Sequence, residues 1–143
     1  LGPAASGVSV SLIDTVREAG VVQCSGSNTS AELSTVDDGG FYFRTAPPDA
    51  LHGPALAQLI LSDGFSNITI LARNDSYGTG FADALEAALT DGGATVALNA
   101  AYDPDATDYQ ADVAAVVDAA PDTVVVIGFN DDGGKIVGEM IVL

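Results

Sequence analysis

Positive charge is scarce in this sequence. Four lysines and arginines stand against 20 aspartates and glutamates, which gives a formal net charge of −16 over 143 residues. A nucleic-acid partner is excluded, because no surface of the chain could neutralise a run of phosphates. Most of the carboxylates are expected to form a solvated, solubilising surface.

Cysteine and long apolar runs are scarce as well. Cys24 is the only cysteine, so the sequence has neither an internal disulfide nor the paired spacing of a zinc site. No segment approaches the roughly 18 consecutive apolar residues of a membrane-spanning helix. With 48% hydrophobic and 17% charged residues, the composition is that of a globular protein, and the length suits one α/β domain.

Sequence signatures of enzymes are missing. Gly78-Thr79-Gly80 precedes a predicted helix, but the third glycine of the dinucleotide-binding pattern is absent. There is no phosphate-cradling Gly-Lys-Ser/Thr and no serine in a nucleophile-elbow pattern. His52, the only histidine, has no obvious nucleophile partner and is expected to be exposed or to cap a helix. The sequence therefore predicts a protein that is not an enzyme and uses no cofactor.

What is present is an alternation of helical and strand patterns. Helices are predicted around residues 8–16, 51–60, 81–89, 113–117 and 136–141, and strands around residues 21–24, 41–45, 68–72, 95–101 and 123–127. This order predicts α/β architecture, with βαβ units and a parallel sheet covered by helices on both sides. The wholly apolar strand at residues 123–127 is expected to be buried on both faces. Pro47-Pro48 end the second strand, and residues 41–48 are the best boundary candidate.

Candidate ligand groups follow the strands, at the edge where ligands bind in an open parallel sheet. The loop at residues 25–30 is rich in hydroxyls, and hydroxyls with free N–H groups at a helix start suit a carboxylate. Asp132 suits an ammonium group, and Tyr77, Tyr102 or Phe129 could close over the middle of a ligand. The loops together fit a zwitterion such as an amino acid.

Two other interpretations of these acids remain open. Each acid could simply cap a helix or lie in its first turn, which Asp and Glu favour. Alternatively, Asp75, Asp103, Asp131 and Asp132 could surround Mg²⁺ in a receiver-like or phosphotransfer domain, with only Lys135 to complete the site.

Five segments resemble, in order, the landmarks of branched-chain amino acid ABC-transporter binding proteins, which are type I periplasmic binding proteins of the extracellular ligand-binding receptor family. The segments are residues 1–7, 21–29, 43–47, 77–80 and 127–134. The resemblance implies the parallel-sheet, three-layer sandwich of that fold, mostly its second lobe plus a strip of the first. It assigns residues 1–44 to ligand-binding lobe 1 and residues 45–143 to lobe 2.

The resemblance also implies a set of ligand-binding residues. They are Ala5, Ser6, Ser27, Asn28 and Thr29 from lobe 1, and Tyr77, Asn130 and Asp132 from lobe 2. The first set would hold the α-carboxylate and amine, and Asp132 would bind the α-ammonium. The family often has Glu at the position of Asp132 and Pro at that of Gly26, so the pocket depth and ligand choice are expected to differ here.

The implied function is that of an extracytoplasmic solute-binding component of an ABC transporter, which captures an amino acid or related small amide between two lobes and delivers it to an ABC permease. A sensory ligand-binding receptor domain of the same fold is the alternative. Proteins of the family are much longer, and Leu1-Gly2-Pro3-Ala4 is neither an initiator methionine nor an export signal. We therefore expect a piece of a periplasmic or cell-surface protein, its signal peptide absent from this sequence. Such a piece would expose apolar edges, could self-associate, and alone would bind ligand weakly or not at all.

Overall fold

The computed structural model describes residues 1–142 and contains two parallel β-sheets with helices packed around them. In chain order the elements are α1 (Ser6–Glu18), β1 (Gln23–Ser25), a 3₁₀ helix (Ala31–Ser34), β2 (Tyr42–Arg44), α2 (Asp49–Ser62), β3 (Asn67–Arg73), α3 (Gly78–Asp91), β4 (Thr95–Tyr102), α4 (Gln110–Asp118), β5 (Thr123–Ile127) and α5 (Asn130–Val142). Every predicted helix and strand is present, with its ends shifted by a few residues.

The smaller sheet pairs β1 with β2 in parallel, and Gln23 lies opposite Tyr42. Ile13 of α1, Leu33 of the 3₁₀ helix and Tyr42 form its buried apolar cluster. This cluster holds α1 against the sheet, so that the start of α1 lies beside the loop that follows β1.

The larger sheet has the order β4-β3-β5, and all its strand pairs are parallel. Alternate residues of β3 face opposite sides, as the two-residue period of a strand requires. Ile68 and Ile70 pack in the core with α2 and α3. Leu71 packs in a second core with Val113 of α4 and Ile136 of α5. The predicted three-layer α/β arrangement is confirmed.

The prediction that residues 123–127 are buried on both faces was wrong. β5 has only β3 as a neighbour among the described residues, and its first four residues are half-buried. β3, between two strands, is the strand with a continuous buried run. Both strands are apolar, and composition does not tell a central strand from an edge strand.

The two sheets fall on either side of residue 44, and the assignment of these segments to two lobes stays a prediction. Apolar side chains are exposed towards both ends of the chain, among them Val8, Val21, Val22, Val137 and Ile141. Self-association through them likewise stays a prediction. Within residues 1–142, no helix combines the length and the hydropathy needed to cross a membrane.

Candidate functional site

A cleft of about 810 Å³ is lined by the loops that follow β1, β3, β4 and β5. We call Ala5, Ser6, Ser27, Thr29 and Asp49 its first wall. We call Arg73, Tyr77, Phe129 and Asp132 its second wall. Seven of the eight predicted site residues line this cleft, namely Ala5, Ser6, Ser27, Thr29, Tyr77, Asn130 and Asp132. Their contact with a ligand stays a prediction, and Asn28 is the predicted residue that lies outside the lining.

Asn28 is fully buried behind the first wall. Its Nδ2 donates a 2.7 Å hydrogen bond to the Ala4 carbonyl, and its Oδ1 accepts hydrogen bonds from the hydroxyls of Ser9 and Tyr42. Asn28 thus ties the segment before α1 to α1 itself and to β2. It positions cleft residues, and its side-chain amide is fully hydrogen-bonded within the part of the chain described.

The N-terminus of α1 opens onto the cleft without a side-chain cap. Ala5 is the N-cap residue and cannot accept a hydrogen bond from the first turn. Ser6 Oγ accepts the N–H groups of Thr29 and Ser30, each at 3.3 Å, which joins α1 to the loop after β1. An uncapped helix start carries partial positive charge and free N–H donors, so it favours a negatively charged group.

Asp49, the first residue of α2, is an important residue that sequence reasoning missed. Its backbone N–H donates a 2.7 Å hydrogen bond to the Thr29 carbonyl, which joins α2 to the loop after β1. Its side chain is completely buried, and Oδ1 lies 3.4 Å from Nδ1 of His52. Oδ2 has no hydrogen-bond partner, and neither does the Thr29 hydroxyl, within the part of the chain described. The Thr29 hydroxyl lies close enough to the Asp49 carboxylate to lower its pKa, but no hydrogen bond joins them in this geometry. Buried polar atoms are nearly always bonded, so both oxygens remain open to a donor from a ligand.

The electrostatics of Asp49 follow from this burial. Burial raises the pKa of the Asp49 carboxyl, and the neighbouring Thr29 and His52 side chains offset the effect only in part. His52, predicted to be exposed or capping, is partly exposed and lines the cleft next to Asp49. In the sequence, an acid after Pro48 at a helix start looks like an ordinary first-turn residue, which is why it gave no signal.

Asp132, on the second wall, is almost fully bonded within the protein. Its Oδ2 accepts from the Tyr102 hydroxyl at 2.6 Å and from Arg73 Nη1 at 3.0 Å, and its Oδ1 accepts from the Phe129 N–H at 3.1 Å. Burial would raise the pKa of Asp132, but these hydrogen bonds and the charge of Arg73 outweigh it and hold the pKa below its usual range. The carboxylate is ionised and internally paired, with 6% of its side chain exposed.

Arg73 lies at the centre of the second wall, and sequence reasoning assigned it no role. Its Nε donates a 2.6 Å hydrogen bond to Asp75 Oδ2, and its Cζ lies 3.9 Å from the centroid of the Phe129 ring. Phe129 in turn stacks on Tyr77, with centroids 5.6 Å apart and planes 10° from parallel. Asp75 also caps α3, because its Oδ1 accepts the N–H groups of Tyr77 and Gly78.

Two glycines leave room for the side chains of Arg73 and Tyr102 beside the second wall. A Cβ at Gly78 would collide with the carbonyl and side chain of Arg73, and a Cβ at Gly128 would collide with the Tyr102 hydroxyl. Glycine is the residue that permits such close approach. In the sequence these glycines look like ordinary loop residues, so the packing requirement becomes visible only in the fold.

The remaining predicted residues lie nearer the edge of the cleft. Asn130 is exposed at the start of α5, and Ser27 is exposed, with its hydroxyl bonded to the Ala4 carbonyl. Tyr77 is half-buried, and its pKa is raised by burial and by the nearby carboxylates of Asp49 and Asp75.

Three of the four acids considered for Mg²⁺ are engaged in other contacts. Asp75 and Asp132 both pair with Arg73, and Asp103 Oδ1 accepts the N–H of Asp105 in a turn. In residues 1–142, no three His, Cys, Asp or Glu side chains are grouped so that they could hold a metal ion. The arrangement gives the magnesium interpretation no support.

The chain is similar to known ligand-binding proteins. It is 29% identical over 142 residues to the Leu/Ile/Val-binding protein BraC3 of Rhizobium johnstonii, a match that covers 98% of this chain and 38% of the relative. It is 31% identical over 78 residues to metabotropic glutamate receptor 8 of Homo sapiens, across 54% of this chain and 9% of the receptor. The chain thus spans well under half the length of each.

Solved structures show the same fold. An ABC transporter substrate-binding protein from Desulfitobacterium hafniense matches with a TM-score of 0.63 and 26% identity, over 87% of this chain and 37% of that one. A solute-binding protein from R. palustris, in complex with 4-hydroxybenzoate, matches with a TM-score of 0.80 over 89% of this chain and 34% of that one. Its 13% identity indicates shared architecture only.

A family model described as "Receptor family ligand binding region" matches residues 1–141, which is nearly the whole chain. That family consists of ligand-binding and not catalytic domains, in agreement with a cleft that offers binding groups at the strand ends. The chain belongs to this ANF_receptor family and has the type I periplasmic binding protein fold.

Proposed function

We propose that the complete protein is an extracytoplasmic solute-binding component of an ABC transporter, and that its cleft captures an amino acid or a related small amide. One observation carries this proposal. Asp49 is a fully buried carboxylate with an unpartnered oxygen, and it adjoins the uncapped start of α1 on the same wall. An acceptor for a cation thus lies beside donors for an anion, which is the arrangement that a zwitterion requires.

The ligand's α-carboxylate would lie at the start of α1, where the helix N-terminus and the Ser6 hydroxyl supply donors. The α-ammonium would donate to Asp49 Oδ2 and to the Thr29 hydroxyl, once a small shift of the first wall exposes these two buried atoms to the cleft. Asp132 stays a predicted ammonium contact, but its oxygens already accept three hydrogen bonds. We therefore expect Asp49 to make the direct contact and Asp132 to add negative charge from the opposite wall.

The names of two similar proteins support the transport role. One is a Leu/Ile/Val-binding protein, and the other is an ABC transporter substrate-binding protein. On this proposal the partner is an ABC permease, and the protein works outside the cytoplasm. Tyr77 would pack against the middle of the ligand, and Asn130 would lie at its rim.

A sensory receptor domain is the second candidate, and the similarity to a metabotropic glutamate receptor favours it. Both candidates use the same cleft, so ligand binding does not separate them. Co-purification with a membrane permease would support transport, whereas a ligand-dependent change in a fused signalling domain would support sensing.

Isothermal titration calorimetry on the complete gene product, with the 20 common amino acids and small amides, tests the binding function. Asp49→Asn keeps the shape of the side chain but removes its charge, and is expected to weaken amino-acid binding by about 2–5 kcal/mol. Asp105→Asn is the matched control, because Asp105 lines the same cleft but is exposed. Equal affinities in the wild type and Asp49→Asn would contradict the assignment of the ammonium site.

A further inference from the structure

Building on the proposed function, we propose that Arg73 determines ligand specificity. Its Nη2 would donate a hydrogen bond to a neutral carbonyl oxygen in the part of the ligand remote from the α-carbon. The preferred ligands would then be amino acids with a side-chain carboxamide, or small amides of similar shape, rather than aliphatic or acidic amino acids.

The guanidinium of Arg73 is held in one orientation. Nε is bonded to Asp75, Nη1 is bonded to Asp132, and the Phe129 ring lies against the guanidinium plane. Three contacts to a planar group leave little rotational freedom. A donor that is already fixed costs a ligand little ordering entropy.

One nitrogen of this group remains free for a ligand. Arg73 lines the cleft with 14% of its side chain exposed, and Nη2 has no acceptor among residues 1–142. A ligand that closed the cleft without an acceptor would cut this donor off from water and leave it unbonded, which is unfavourable. A site built around such a donor strongly rejects analogues that lack the matching group.

The formal charges decide which acceptor fits. Arg73 contributes +1, while Asp75 and Asp132 contribute −1 each, so the bonded cluster carries a net charge of −1. Asp105, Asp131 and Lys135 also line this side of the cleft, all exposed, and together they add a further charge of −1. A carboxylate at Nη2 would meet two carboxylates behind a single guanidinium, whereas a carboxamide oxygen accepts the same hydrogen bond without that repulsion.

The test uses L-glutamine, L-leucine and L-glutamate as probes in calorimetry with the complete gene product. The wild type is expected to bind glutamine roughly 10- to 100-fold more tightly than either of the others, as the loss of one charge-assisted hydrogen bond predicts. Arg73→Lys keeps the charge but loses the rigid, planar guanidinium group. The substitution is expected to remove most of the preference for glutamine while leaving leucine affinity within about threefold. Arg17→Lys makes the same change in an exposed ion pair outside the cleft and should leave all three affinities unchanged.

The outcomes separate the two proposals. Binding of leucine or glutamate as tight as that of glutamine would overturn the role of Arg73 but leave amino-acid capture intact. An equal loss for all three probes in Arg73→Lys would also overturn it, since Arg73 would then act only by supporting the wall. If the wild type bound none of the common amino acids or small amides, the proposed function would fail, and the inference about Arg73 with it.

Discussion

Each side of the cleft has a buried carboxylate and the start of a helix, but the two sides use these groups in opposite ways. Beside the second wall, Asp75 caps the start of α3, and on that wall Asp132 accepts hydrogen bonds from Arg73, Tyr102 and a backbone N–H. On the first wall, α1 has no side-chain cap, and one oxygen of the buried Asp49 has no partner. The carboxylates on one side are satisfied within the protein, whereas the carboxylate of the first wall is left incomplete.

This difference separates groups that stabilise the fold from groups that await a ligand. A buried charge is tolerated where it is paired, and removing one partner lowers stability because the other is left buried without compensation. An unpaired buried charge lowers stability and persists where another molecule completes it. We therefore infer that the same substitution, loss of one carboxylate, has opposite effects on stability at the two walls.

The largest expected effect is that of Asp132→Ala on stability. The change leaves Arg73 without one of its two ion-pair partners and leaves the buried Tyr102 hydroxyl without its acceptor carboxylate, which should lower the free energy of unfolding by about 3–5 kcal/mol. Urea denaturation measures this, and Asp131→Ala, at the exposed neighbouring position, is the control. A loss no greater than that of the control would mean that the second wall is not held by its ion pairs.

The pH dependence of this contribution has a definite sign. The fold lowers the pKa of Asp132, so its stabilising effect is present at neutral pH and disappears as the pH falls through the folded-state pKa. The difference in stability between the wild type and Asp132→Ala should therefore shrink in acid.

A smaller effect is expected behind the first wall, from Asn28→Ala. The substitution removes the acceptor for the buried Ser9 and Tyr42 hydroxyls and releases the Ala4 carbonyl, at a cost of about 1–3 kcal/mol. Because Asn28 holds the segment before α1, amino-acid affinity should fall together with the unfolding free energy. Ser11→Ala, at an exposed position on α1, is the control for both measurements. Weakened binding without any loss of stability would instead favour the direct ligand contact predicted for Asn28.

The order of elements and the position of the cleft could be predicted from the sequence. Periodic apolar residues give the alternation of strands and helices, and parallel strands place the loops after them at one edge. That edge brings together Ser6, Thr29, Tyr77 and Asp132, the first and last of which are more than a hundred residues apart in the sequence. Predicting that these residues share one edge required no knowledge of side-chain packing.

The different roles of Asp132 and Asp49 could not be predicted, because they depend on side-chain partners brought together by the sheet. Arg73 and Tyr102 are neighbours only because the register of β3 and β4 places them opposite each other at the strand ends. Both reach Asp132, and the carboxylate that the sequence suggested for the ligand is thereby used internally. Asp49 is the first residue of α2 and lies just beyond the loop that follows β2, so it was not among the strand-end loop residues considered from the sequence.

The smallest expected effect is also the one that tests the difference between the walls most directly. Asp49→Asn removes a buried charge that has one unpartnered oxygen, so the ligand-free protein should become more stable at neutral pH, by about 1 kcal/mol. Because the fold raises the pKa of Asp49, the ionised carboxylate costs stability above the folded-state pKa and ceases to do so below the unfolded-state value. The advantage of Asp49→Asn should therefore diminish as the pH falls through this window, as thermal denaturation at a series of pH values can measure. The wild type gains stability relative to Asp49→Asn in acid, whereas it loses its advantage over Asp132→Ala. Identical pH trends for the two variants would mean that Asp49 is paired like Asp132, and the first wall would then have no vacant acceptor for an ammonium group.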